Sequence, residues 1–160
     1  NERLAAIAPS YQAEWLAVMR AKLGLAGAAP DDLALIEGFL AAIVGVDWTL
    51  AFRRLSRAIS DEAGYLAMFD APQAMQAWLP QWRARRSADA QTTMARANPA
   101  IIPRNHLVEA ALQAASAGDL AGFEALLTAI RDPFGSEAGR EGFALPAPKG
   151  FGSYVTYCGT

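Results

Sequence analysis

Cys158 and His106 are the only cysteine and the only histidine in 160 residues, and their side chains are the ones best suited to nucleophilic or acid–base chemistry near neutral pH. Cys158 stands third from the end in a glycine-containing tail, where a thiol is reachable by another segment of chain. A redox role and an incidental thiol are both open on position alone. His106 precedes Leu107 at the start of an amphipathic stretch and has no nucleophile close to it in sequence, so it reads as a structural or surface histidine rather than a general base. One Cys and one His do not make a protein-only zinc site.

The remaining candidates have plain structural readings. Asp31-Asp32 and Asp61-Glu62 resemble metal or acid–base pairs, but both fall where helix N-termini gather negative charge. Arg83, Arg85 and Arg86 lie near Trp78 and Trp82 and could meet an acidic partner or a phosphate; the simpler reading is a solvated helix end. Trp15, Trp48, Trp78 and Trp82 are spaced helically from other apolar residues, which places them in a core rather than on a base-stacking platform. Neither G-x-G-x-x-G nor G-x-x-x-x-G-K-[ST] occurs, so no phosphate-cradling loop is encoded.

The elements that must position these residues read as helices. Pro9-Ser10 marks the start and Gly24 the stop of a helix carrying Trp15, Val18 and Met19. Asp31-Asp32 open a second, with Leu33, Ile36, Leu40 and Ile43 on one face and Gly45 at its end. Asp47 caps a third through Trp48, Phe52 and Leu55. Ser60 to Asp70 allows one or two turns. Pro72 begins a longer helix through Met75, Trp78 and Trp82, with a kink expected at Pro80. Asn98-Pro99 and Pro103 bracket an irregular stretch. Beyond it the stripe Leu107, Val108, Ala111, Leu112, Ala115 and the stripe Leu120, Phe123, Leu127, Ile130 form a helical hairpin across Gly118-Asp119, ended by Asp132-Pro133. Gly and Pro dominate from 135 onward. These patterns predict an all-α protein built from antiparallel helix pairs, with a helical domain over 1–134 and an extended, irregular tail over 135–160 that bears Cys158.

Apolar side chains make up 53% of the chain, enough for a sizeable core. A net charge of -2 gives no overall attraction for a phosphate backbone or an anionic membrane, and no apolar run approaches the roughly 20 residues of a membrane span. Neither nucleic acid nor membrane is expected as a partner. A lone cysteine suits a reducing, cytoplasmic location. The opening Asn1-Glu2-Arg3, without an initiator Met, reads as the continuation of something helical, so an excised segment is expected.

Several strings, taken together, resemble the selenoprotein O family of pseudokinase-fold protein adenylyltransferases. They are Met19-Arg20-Ala21-Lys22-Leu23-Gly24-Leu25, Asp47-Trp48-Thr49 with Phe52-Arg53-Arg54-Leu55, and then in order Asn98-Pro99, Arg104-Asn105-His106-Leu107, Gly118-Asp119 and Asp132-Pro133-Phe134. The final Val155-Thr156-Tyr157-Cys158-Gly159-Thr160 looks like the family's terminal motif, in which a Cys or selenocysteine stands third from the end; Gly159-Thr160 replaces the usual pair of serines.

The resemblance implies the distal part of a kinase-like C-lobe plus a C-terminal extension, from an enzyme that moves AMP from ATP to Ser, Thr or Tyr hydroxyls of protein substrates. ATP and Mg²⁺ would then be held upstream, in a kinase-like domain of the same chain, leaving no catalytic, cofactor-binding or metal residue in this segment. It also implies that Cys158 pairs with a cysteine near the active site as a thiol switch. The competing expectation is an autonomous helical interaction module that uses the Arg83 to Arg86 cluster.

Overall fold

The computed structural model describes the backbone of residues 2–151 and the side chains of residues 7–151. Nine helices and one 3₁₀ turn account for the ordered elements among these residues: α1 (Glu2–Leu23), α2 (Asp32–Ala42), α3 (Trp48–Arg54), the 3₁₀ turn Leu55–Ile59, α4 (Glu62–Leu66), α5 (Gln73–Arg85), α6 (Ala90–Ala97), α7 (Asn105–Ser116), α8 (Ala121–Ile130) and α9 (Glu141–Ala144). The fold class is all-α, as the helical periodicity indicates. The chain divides into two compact units, one ending at Asn98 and one beginning at Pro99. α9 lies in the stretch that the abundance of Gly and Pro marks as extended tail.

In the first unit, local chemistry sets most helix ends. Asp47 accepts the Leu50 amide at 2.9 Å and so caps α3, and Asp61 accepts the Gly64 amide at 2.8 Å and caps α4. Gly24 and Gly45 follow α1 and α2 with φ of 63° and 83°, where a side chain would be strained. Pro80 lies within α5, which continues to Arg85. One expectation fails: Pro9 does not open α1 but sits inside it, the helix running back to Glu2. A proline removes one N–H and crowds one carbonyl, which strains the helix without obliging it to end.

The core of this unit gathers Leu23 of α1, Ile36 and Phe39 of α2, Phe52 of α3, Leu55, Tyr65 of α4, Met75, Leu79 and Trp82 of α5 and Met94 of α6, all essentially inaccessible. α5 lies against α2, where Gly38 admits the Trp78 ring: a Cβ on Gly38 would come within 3.1 Å of Trp78 Cδ1. The indole nitrogens do not go unpaired. Trp78 Nε1 donates to the Leu35 carbonyl at 2.8 Å and Trp82 Nε1 to the Leu23 carbonyl at 2.7 Å, so two large apolar bodies are buried without a desolvation penalty at their polar ends. Tyr65 does the same, donating its hydroxyl to the Ala51 carbonyl at 3.1 Å; burial holds its proton on well above the usual tyrosine range.

The second unit is organised on the α7–α8 pair, whose apolar stripes face each other as the hairpin pattern requires. Gly118 (φ 93°) ends α7 and Asp119 accepts the Ala121 amide at 2.9 Å at the start of α8. A small core forms where Ala100 and Ile101 meet Ala129, with Ile130 and Phe143 alongside.

Gly24 joins both constraints that a glycine can satisfy, a left-handed backbone and a close approach, since a Cβ there would lie 2.8 Å from the Ala90 Cβ. Gly24→Ala is expected to lower stability by about 2 kcal/mol, from the left-handed penalty of roughly 1–2 kcal/mol for an L-residue plus displacement of α6. Urea unfolding of the variant beside Gly142→Ala, where a Cβ meets nothing within 4 Å, measures it.

Candidate functional site

Among the described residues, the sharpest concentration of charge is Asp32 with Arg20 and Arg85. Arg20 Nε approaches Asp32 Oδ2 at 2.6 Å, Arg85 Nη2 approaches Oδ1 at 2.7 Å, and the Ala29 amide donates to Oδ2 at 2.8 Å. Asp32 is 1% exposed. Burial alone would raise its pKa, but the hydrogen bonds from Arg85, Arg20 and the Ala29 amide outweigh burial and hold the carboxyl below its usual range. Arg85 Nε also reaches Oδ1 at 3.3 Å, so the four acceptor sites of the carboxylate are occupied and none is left for a metal or a substrate proton. Arg85 also donates to the carbonyls of Ala26 and Gly27, and the backbone joins in, with Ala26 N–H on the Arg85 carbonyl and Ser87 N–H on the Gly24 carbonyl, each within 3 Å. The centre therefore clasps the 24–31 loop and the ends of α1 and α5 to the start of α2.

This revises the reading of the basic cluster. Arg83 pairs with Glu62, Arg85 is held by Asp32, and Arg86 lies over the Trp82 ring at 5.9 Å. Arg83 therefore keeps the solvated position expected of a helix end, at 43% exposure, whereas Arg85 is drawn into a buried ion pair and is not available to a partner. Spacing along one helix could not show this, because Asp32 lies 53 residues from Arg85.

Of the four tryptophans, Trp78 and Trp82 are core and stack at 6.0 Å, and Trp15 is half-buried against the core. Trp48 departs from expectation: it is 53% exposed, at the first turn of α3, touching Phe52 at 5.1 Å between centroids. A position beside the Asp47 cap lies at the helix rim, where only one side of the ring meets the core. His106 is half-buried with its ring edge-on to Phe151 at 5.8 Å, a packing environment. Cys158 lies outside the described residues. No three His, Cys, Asp or Glu side chains group as a metal ion would need among the described residues, and no described helix is long and apolar enough to cross a membrane.

An apolar groove of about 200 Å³ lies between Val108, Ala111 and Leu112 of α7 and Phe123, Leu126 and Leu127 of α8. It has almost no polar lining and no titratable group, so it can hold apolar matter and do no chemistry. The residues that carry the family resemblance turn out to have structural work. Asn98 Nδ2 donates to the Lys22 carbonyl at 2.8 Å, Arg104 Nη2 donates to the Ala144 carbonyl at 2.8 Å, and the Pro133 carbonyl receives the amides of Ala100 and Ile101.

Removing one partner of a buried ion pair leaves uncompensated charge, so Asp32→Ala is expected to cost about 3–5 kcal/mol. The pH dependence has a definite sign. A carboxyl whose folded pKa is depressed contributes stability that is full above its unfolded value near 4 and is lost as pH falls through the folded value. Urea unfolding of the natural chain should weaken progressively below about pH 4, and the Asp32→Ala variant should show a shallower acid loss.

No family model matches the chain. Curated relatives do. A protein nucleotidyltransferase YdiU of Cereibacter sphaeroides is 54% identical over 163 residues, which take in 100% of this chain and 34% of that protein. The protein of the same name in Rhizobium leguminosarum bv. trifolii is 42% identical over 100% of the chain and 34% of its own length. That of Sphingopyxis alaskensis is 43% identical over 97% of the chain and 34% of its own length. The chain thus spans about a third of the length of the curated relatives it matches. Over its whole length, it is a homologue of one third of the proteins named protein nucleotidyltransferase YdiU.

Proposed function

We propose that this chain is the C-terminal helical part of a protein adenylyltransferase of the selenoprotein O family, which moves AMP from ATP to Ser, Thr or Tyr hydroxyls of proteins in the cytoplasm. The observation that carries the proposal is the match of the whole chain, at 54% identity, to 34% of a relative named protein nucleotidyltransferase YdiU. The all-α build suits the distal part of a kinase-like C-lobe.

The described residues do not fit ATP or Mg²⁺. The carboxylates of Asp32, Asp47 and Asp61 are taken up by an ion pair and two helix caps, and the groove on α7 and α8 lacks the backbone N–H groups or cations that a triphosphate requires. Both ligands are therefore assigned to the remaining two thirds of the parent polypeptide, with the present segment bracing that core. Cys158 is assigned a regulatory role. Its thiol and a second cysteine thiol would lose two protons and two electrons to a peroxide or disulfide oxidant, forming a bridge that ties the tail to the core.

The test is transfer of radiolabelled AMP from ATP with Mg²⁺ to a protein acceptor. The longer polypeptide is expected to transfer and residues 1–160 alone are not; transfer by residues 1–160 alone would overturn the assignment of catalysis to the rest of the chain. In the longer protein, oxidant is expected to change the rate severalfold and Cys158→Ser to abolish that response; an unchanged response would remove the switch.

A further inference from the structure

The first helix carries a second apolar face that its own unit does not use. Trp15, Met19 and Leu23 point into the core, whereas Ile7, Tyr11 and Val18 are 60%, 70% and 55% exposed. At about 100° per residue these three fall within about 40° of one line along the helix, roughly 100° round from the core-facing line. They are three of the ten large apolar side chains that stand exposed among the described residues, and no other helix aligns as long a row. Every side chain from Ile7 to Glu14 is exposed.

That arrangement is incomplete in energetic terms. The part of α1 before Trp15 is about three turns of helix, interrupted by Pro9, with no core beneath its described side chains. Helical stretches of this length are marginal in water without tertiary packing, and a proline makes them more so. Something must cover the face for the helix to persist, and it must be largely apolar to match Ile7, Tyr11 and Val18, while leaving water or a cation beside Glu14, the charged side chain in the same row. We propose that the Ile7–Tyr11–Val18 face of α1 is the seam by which this segment docks onto the rest of the parent polypeptide, against an apolar helix or surface there. The relatives supply the occupant: two thirds of their length lies outside the matched part. The inference rests on the proposal that this chain is part of such a protein.

The test uses the longer polypeptide and reads amide hydrogen exchange in α1. Residues 7–14 are expected to exchange as slowly as α5, and Ile7→Glu with Tyr11→Glu to speed that exchange by about tenfold or more while α5 stays protected. Ala13→Glu, on the opposite side of α1, is expected to leave it unchanged. Fast exchange in the unaltered protein, or equal loss of protection in Ala13→Glu, would overturn the seam. So would protection present only at concentrations where sedimentation shows a dimer, since a second copy would then be the occupant. AMP transfer measured on the same sample separates the two ideas: protection without transfer sinks the enzymatic reading alone, and transfer without protection sinks the seam alone.

Discussion

The buried carboxylate of Asp32 is the constraint around which the first unit is arranged. Withdrawing the Asp32 carboxylate from water, and the Arg20 and Arg85 side chains in part, costs several kcal/mol for a fully buried ion, and only good geometry recovers it. Arg20, Arg85 and the Ala29 amide all meet two oxygen atoms within 2.8 Å, which forces the end of α1, the following loop, the start of α2 and the end of α5 to one point. Once α5 is anchored there, Trp82 lies under the last turn of α1 and Trp78 over Gly38 of α2. The apolar core is then completed by helices that have little freedom left in where they sit. A single ionic centre thus sets the register for packing that is itself non-directional.

How much of this was legible in the sequence depends on range. Signals that act over three or four residues were readable: Asp47 as a cap, Asp61-Glu62 as the charge of a helix start, Gly24, Gly45 and Gly118 as stops, the facing stripes of α7 and α8. Signals that depend on a distant partner were not. Arg85 looked like a solvated cation because its carboxylate is 53 residues away, and Trp48 looked like core because helical spacing does not say how far along a helix the core extends. Pro9 was misread for a related reason: proline disfavours helix locally, while the residues on both sides favour it.

Function was legible only through strings of residues, and the structure explains why their chemistry was uninformative. Asn98 Nδ2, Arg104 Nη2 and the Pro133 carbonyl bond to the backbone of their own unit, and at helix starts Asp32 is an ion-pair partner while Asp47 and Asp61 are caps. Residues that fix joints read in a sequence as a pattern of Asn, Arg, Gly and Pro rather than as a catalytic constellation.

The placement of the tryptophans has an optical consequence. All four lie at or before position 82, and none lies in the unit that begins at Pro99. Trp78 and Trp82 are buried and nearly parallel, at 17° and 6.0 Å, with the Arg86 guanidinium over Trp82. Intrinsic indole emission from this chain is therefore a report on the first unit alone. Melting of the second, if it occurred separately, would pass unseen by fluorescence and be registered only in the helical circular dichroism, so disagreement between the two probes is itself a measure of whether the units unfold as one.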